Sequence, residues 1–393
     1  MMVEVRTRPI LRTIPFLIAV CFVALTAQGK YSGGSGTAQD PYQIATAADL
    51  ILLGETPADY DKQFLLTADI DLDPKLPGRK VFDKAVIGQI YETRFNGVFD
   101  GKGHVISDLT ITGKDYLGLF GYLGDGGEVR NLGVLDVNIV GSGTAVGGLV
   151  GANGSWTTWG GSVTHCHSTG KVSGSLYVGG LVGENHGSVT QCYSAGAVNG
   201  GSGVGGLVGQ NGSFKTLGSV TQCYSTGAVR GNGPVGGLVG GNDGNLVHCY
   251  STGKVSGNGP VGGLVGRNGS FKTLGSVTHC YSTGAVSGGS SVGGLVGENT
   301  GSVTQCYSTG AVSGQWSVGG LVGDNVYYGS VTACFWDTQT SGQTASAGGT
   351  GKTTAQMQTG KTFLDAGWDF VGETTNGSED TWKIAEGLAY PRL

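Results

Sequence analysis

Val204-Gly-Gly-Leu-Val-Gly-Gln-Asn211, followed by Gly218-Ser-Val-Thr-Gln-Cys-Tyr-Ser-Thr-Gly-Ala-Val229, is one copy of a phrase that recurs through the middle of the chain. Its opening hexapeptide occurs seven times, with the leucine at Leu149, Leu181, Leu207, Leu238, Leu264, Leu295 and Leu321. The intervals are 32, 26, 31, 26, 31 and 26 residues. The longer ones carry an insertion, such as Ser213-Phe-Lys-Thr-Leu217 and again Ser270-Phe-Lys-Thr-Leu274. Tyr116-Leu-Gly-Leu-Phe-Gly121 reads as an eighth, degenerate copy. A period of this length marks one supersecondary unit per repeat, stacked on its neighbours. Helical units are excluded, because glycine costs about 1 kcal/mol at each helical position. Short β runs punctuated by glycine fit the rung of a β-solenoid.

Aligned by column, the repeats show which side chains face inward. Val163, Val189, Val220, Leu246, Val277, Val303 and Val331 form one column. Three residues later stand Cys166, Cys192, Cys223, Cys249, Cys280, Cys306 and Cys334. Strand side chains alternate with period two, so a bend must separate valine from cysteine if both point inward. The residue before each cysteine is glutamine or histidine, ending in Ala333, and the residue after it is His167, Tyr193, Tyr224, Tyr250, Tyr281, Tyr307 or Phe335. Both columns are expected outside. A further column runs Val172, Val198, Val229, Val255, Val286 and Val312, which makes three short β segments per turn. Asn153, Asn185, Asn211, Asn242, Asn268, Asn299 and Asn325 recur at one turn. Stacked amides hydrogen-bond along such a column, and asparagine tolerates the left-handed conformation of a tight corner. Seven cysteines cannot all pair. Secreted proteins usually pair theirs, but parallel side-chain vectors on stacked rungs disfavour the disulfide torsion, so buried thiols are expected.

Composition agrees. Of 393 residues 78 are glycine, only 9 are proline and 13% are charged. Collagen is excluded by the missing Gly-X-Y register, and charge-driven disorder by a net charge of −5 and a mean hydropathy near zero. Arg6, Arg8 and Arg12, the apolar run from Ile14 to Ala27, and Ala27-Gln28-Gly29 ahead of Lys30 have the layout of a secretory signal peptide over residues 1–29. The apolar run is shorter than a membrane span needs, and the surroundings of Cys21 suit a lipoprotein signal poorly. The mature chain is expected to be secreted or at the cell surface, with no transmembrane segment. Residues 30–94 read as an N-terminal cap, with helical character over Thr46–Leu53. The β-helix then covers residues 95–334, and residues 335–393 form an irregular C-terminal cap with Trp336, Trp368 and Trp382 to bury. No cell-wall sorting motif is present.

At this level the sequence resembles the GLUG-motif repeat proteins, which are secreted bacterial surface proteins. The same repeats occur in the non-catalytic part of immunoglobulin A metallopeptidases. The resemblance rests on the seven in-register copies, on Asp69-Ile-Asp-Leu-Asp73 and Phe95-Asn-Gly-Val-Phe-Asp-Gly-Lys-Gly-His104 before them, and on Phe335-Trp-Asp337, Gly367-Trp-Asp-Phe370 and Tyr390-Pro-Arg-Leu393 after them. It implies an all-β, right-handed parallel β-helix and no single activity.

Catalytic motifs were sought against that background. None of the six histidines is followed by glutamate, so the His-Glu-x-x-His zinc motif is missing. Ser346-Ala-Gly-Gly-Thr-Gly-Lys-Thr353 mimics a phosphate-binding loop but has serine at the first glycine. His165 and His167 point away from Cys166, and stacked His248 and His279 read as a solvated ladder before a metal site. Across residues 142–333 the acids are Glu184, Asp243, Glu298 and Asp324. Glu298 and Asp324 share a column with Arg267, a spacing that a retaining glycosidase pair tolerates but that reads first as a surface charge ladder. Asp69, Asp71 and Asp73 alternate on one strand face and offer hard oxygen ligands to calcium, the one cofactor suggested. Nucleic acid is disfavoured as a partner, because six basic residues against four acids leave a net of only +2. The reading is a non-catalytic extracellular scaffold, adhesin-like, whose partner is an extracellular glycan or surface protein. Its expected binding residues are Tyr193, Tyr224, Tyr250, Tyr281 and Tyr307, within an outward stripe from His167 to Phe335 about 29 Å long. The same stack would also stabilise neighbouring strands. The alternative is a β-helix polysaccharide lyase or hydrolase, which charge scarcity along the rungs makes the weaker reading.

Overall fold

Each turn of the chain lays down three strand directions, and parallel pairing between turns joins them into three sheets. The computed structural model describes residues 1–3 and 29–393; the signal-peptide reading falls on residues 4–28, outside them. An 11-stranded sheet A holds the Ser-Val-Thr segments, a 20-stranded sheet B holds the segments from tyrosine to the Val-Gly pair, and an 8-stranded sheet C holds the Val–Asn segments. In one rung the strands are Ser219–Thr221, Tyr224–Ser225, Val229–Gly231, Val235–Gly236 and Val239–Asn242. Register keeps like on like: Val220 pairs with Leu246, Tyr224 with Tyr250, Val229 with Val255 and Val239 with Val265. The result is an all-β parallel β-solenoid.

The interior follows from the columns. Val220, Cys223, Val229, Val235, Leu238 and Val239 are all buried, as are their counterparts in neighbouring rungs. Burial removes about 1.5–3 kcal/mol of apolar exposure per leucine or valine. All seven described cysteines are buried free thiols. Each Sγ faces backbone, as Cys249 does with Val220 O and Val247 O, and burial pushes the thiols of Cys166, Cys223, Cys249 and Cys306 up. A serine column, Ser168 to Ser308, is buried beside them.

The bend between valine and cysteine is a left-handed residue, and the glutamine/histidine column supplies it. His165, Gln191, Gln222, His248, His279, Gln305 and Ala333 have φ between 49° and 54°. Such a conformation costs an L-residue roughly 1–2 kcal/mol, and it turns the next side chain back inward. The asparagines expected at this task do not adopt it; they end the strands of sheet C. The paired glycines answer to space. A Cβ on Gly236 would lie 1.9 Å from Val239 O, and one on Gly237 would lie 2.0 Å from Gly263 O and 2.3 Å from Ser251 Oγ.

Pairing starts earlier than residue 95. Tyr42–Ile44 and Gln63–Leu66 already belong to sheet A, so rungs reach into the expected cap. Helix α1 (Ala47–Gly54) forms where helical character was read, with Thr46 and Asp49 closing a capping box. Its Leu50 and Leu53 join the core. At the far end Trp336 takes the position of the serine column and packs onto the last rung. Ser346 Oγ accepts from Leu321 N and Val322 N, so the phosphate-loop mimic closes the solenoid end.

Candidate functional site

The tyrosine column forms a stack. Ring centroids from His167 through Tyr193, Tyr224, Tyr250 and Tyr281 to Tyr307 are 4.7–5.1 Å apart and tilted by at most 7°. Parallel register forces this, since each ring sits one strand spacing above the last. The faces are therefore taken by neighbouring rings, and only edges and hydroxyls meet solvent. The C-terminal segment then covers one end. Met357, Phe363, Trp368, Phe370 and Trp382 pack on Tyr307 and Phe335 and against Tyr281. Tyr307 is 1% exposed, donates to Pro391 O, and is held protonated by burial. Of the five expected binding tyrosines, Tyr307 is thus closed to a ligand, Tyr281 is half-covered, and Tyr193, Tyr224 and Tyr250 present edges. Trp368 and Trp382 bury this ladder and not the solenoid end.

The neighbouring polar column is equally engaged. His248 Nε2 lies 3.1 Å from His279 Nδ1, and His279 Nε2 meets Gln305, whose amide donates to Gly367 O. The chain of hydrogen bonds pins the C-terminal segment. At the other end of the molecule Asp69, Asp71 and Asp73 do not converge. Asp69 accepts from Val105 N and His104 Nδ1, Asp71 from Asp73 N, and Asp73 from Lys75 N. Among the described residues no three His, Cys, Asp or Glu groups cluster around a common point. Arg267, Glu298 and Asp324 do stand in register on sheet C.

The asparagines form the ladder expected of them. Nδ2 of Asn153, Asn185, Asn211, Asn242, Asn268 and Asn299 donates to Oδ1 of the next asparagine at 2.8–2.9 Å. This ladder is the root of the inserted loops, which leave it on alternate rungs. The intervening short turns carry His186, Asp243 and Thr300, all buried. His186 Nε2 donates to Glu184 Oε1 at 2.8 Å, and its Nδ1 meets Thr216 Oγ1 at 2.7 Å. Hydroxyl, imidazole and carboxylate in that order resemble a nucleophile relay. Here Thr216 is 2% exposed and His186 fully buried, so the relay fastens the Ser213–Leu217 loop to the rung beneath. Asp243 accepts from Gln210 Nε2 at 3.1 Å, and burial pushes its carboxyl up.

So anchored, the loops hold aromatic side chains clear of the solenoid. Trp156 is 54% exposed, Phe214 51%, Phe271 80% and Tyr327 70%. Lys215 Nζ lies 4.7 Å from the Trp156 ring centre and 5.4 Å from that of Phe214, while Lys272 lies 5.3 Å from Phe214. Phe271 meets Tyr327 at 4.6 Å. The ridge repeats every second rung, about 9.6 Å. The alternating repeat length signalled the loops, but nothing in it showed that their aromatic side chains form one ridge.

Comparison with known proteins agrees with the repeat reading. The GLUG motif matches six consecutive segments, 142–173, 174–199, 200–230, 231–256, 257–287 and 288–313. Halomucin of Haloquadratum walsbyi is 32% identical over 160 residues, 38% of this chain and 2% of that protein. A protein of Evansella cellulosilytica, provisionally named a Gly-rich membrane protein, is 38% identical over 136 residues, 31% of this chain and 14% of its own length. The chain thus spans a small part of these relatives. A crystal structure from Bacteroides ovatus, provisionally named an immunoglobulin A1 protease, superposes with TM-score 0.51 and 21% identity, covering 93% of this chain and 96% of that one. At that identity the likeness concerns the fold. Among the described residues no helix is long and apolar enough to cross a membrane.

Proposed function

We propose, from the premise that residues 142–313 are six tandem GLUG motifs, that this protein is a non-catalytic, adhesin-like scaffold displayed outside the cell, which binds glycans through the aromatic ridge of its inserted loops. The names of two similar proteins, halomucin and a Gly-rich membrane protein, support the location. The observation that carries the binding is the difference between two aromatic surfaces. Sugars stack on ring faces; the tyrosine ladder has used its faces on itself, whereas Trp156, Phe214, Phe271 and Tyr327 are each more than half exposed, with lysines and neighbouring rings covering only part of them. An exposed apolar patch of this extent marks an interaction site. A catalytic reading finds little support, since the hydroxyl and imidazole of the Thr216–His186–Glu184 relay are sealed from solvent.

The test pairs a glycan array with a polysaccharide-degradation screen on the same protein, wild type and with Trp156, Phe214 and Phe271 changed together to serine. Wild-type retention without new reducing ends, lost in the triple variant, is expected. Retention that survives the triple variant moves the site elsewhere, and released reducing ends establish an enzyme.

A further inference from the structure

The outer face of sheet B holds a depression that follows from what its columns lack. One outward column reads Leu176, Ser202, Gly233, Gly259, Ser290 and Trp316. Its middle has almost no side chains, while Leu176 and Trp316 stand at the two ends. The gap is a trough of about 640 Å³ lined by Arg230, Asn232, Asn258, Gln315 and Trp316 over a floor of serine and glycine. Asn258 Nδ2 donates to Asn232 Oδ1 at 3.0 Å, which sets both amides in one orientation. Trp316 is 72% exposed.

Charge on the repeat strands of this face is one-sided. The rung segments that build it (167–179, 193–205, 224–236, 250–262, 281–293 and 307–319) contain no aspartate or glutamate. They do contain Lys171, Arg230 and Lys254, all exposed. The four acids of the repeat region lie on sheet C or in the turn after it, at Glu184, Asp243, Glu298 and Asp324. The C-terminal segment brings Glu379 and Asp380 against Tyr250 elsewhere on this face, but the trough itself is lined by a cation and no carboxylate, and a concave surface of single sign concentrates ligands of the opposite sign.

We infer that this trough binds an anionic polysaccharide, a chain of sugars bearing sulfate or carboxylate groups laid along the solenoid axis. The indole of Trp316 offers a flat apolar face to one sugar ring. Asn232, Asn258 and Gln315 hydrogen-bond hydroxyls, and the Arg230 guanidinium engages an anionic group with two parallel donors. Without a carboxylate in the trough there is no acid–base pair to cleave a glycosidic bond, so the polymer is held intact. The site is separate from the loop ridge and stands or falls independently of it.

The experiment measures binding of dextran sulfate and uncharged dextran to the full chain by surface plasmon resonance at low and physiological salt. Wild type is expected to bind dextran sulfate in a salt-sensitive manner and dextran at least tenfold more weakly. Trp316→Ser and Arg230→Gln should each lower affinity for dextran sulfate about tenfold, while Lys84→Gln, which removes the same charge at an exposed position away from both the trough and the ridge, should leave it within twofold. Equal loss with Lys84→Gln, or none with Trp316→Ser, would overturn the assignment. So would single-stranded DNA competing as well as dextran sulfate at equal charge, which would make the face a general polyanion surface. Loss of ridge binding in the serine triple variant, with dextran sulfate binding retained, keeps the two sites distinct.

Discussion

Changing Asn242 to aspartate alters one atom type and no shape, which makes it a sharp probe of the amide ladder. Asn242 is fully buried; its Oδ1 accepts from Asn211 Nδ2 at 2.8 Å and Gly244 N at 3.3 Å, and its Nδ2 donates to Asn268 Oδ1 at 2.8 Å and Ser276 O at 3.3 Å. In Asn242→Asp the donor becomes an oxygen aimed at two acceptors. Two hydrogen bonds at about 1 kcal/mol each are lost, and a buried charge without a counter-ion raises the total to roughly 4 kcal/mol at neutral pH. The new carboxyl should titrate above its unfolded value near 3.9. A raised carboxylate pKa means the native state holds a proton that the unfolded state has released. Stability relative to wild type should therefore be kept below about pH 4 and fall as pH rises through that value. In acid the protonated carboxyl donates to Asn268 and the ladder closes again. Asn325→Asp, at the half-buried end of the ladder where the amide donates only to Gly329 O, should cost about 1 kcal/mol. Urea unfolding by circular dichroism at pH 3.5 and pH 7, with hydrogen exchange over residues 235–245, reads both effects. A loss independent of pH, or equal for the two variants, would refute the argument.

Leu238→Asp should cost more than 4 kcal/mol, because it leaves an unpaired charge in a fully buried column, whereas Tyr250→Ala, which removes two stacking pairs, should cost about 1–3 kcal/mol; equal melting temperatures would show the faces misassigned. Thiol titration of the chain from residue 30 in denaturant should find seven thiols and, in the native protein, none that react; three disulfides and a single thiol would contradict the buried column. Serine at Tyr193, Tyr224 and Tyr250 together should lower stability by about 0.5–1.5 kcal/mol per lost stacking pair and leave glycan retention unchanged; a folded variant that no longer binds would return the site to the ladder. Chelation with EDTA should leave the melting temperature unmoved, because Asp69, Asp71 and Asp73 are each tied to a local donor; a fall of several degrees would point to bound calcium.

The columns were legible in the amino-acid sequence because a parallel solenoid places every residue above its own counterpart one turn earlier. A side chain that suits one rung must suit all, so the valine, leucine, cysteine, asparagine and tyrosine columns could be read by alignment, and with them the inside and outside of the wall. The bend between Val220 and Cys223 was also legible from parity, but not its owner: asparagine and glutamine/histidine both lie near corners, and only closure of the rung selects Gln222 over Asn211 for the left-handed position. What lies outside the repeat had no such template. The C-terminal segment lands on Tyr307 through contacts 84 residues apart in sequence, and that landing decides which rings of the stripe remain open. The trough beside Trp316 is likewise a product of tertiary structure, since it exists where side chains are missing. Repetition determines what each rung repeats; which faces are covered, and which are left hollow, is settled only where non-repeating chain and unequal side chains meet in space.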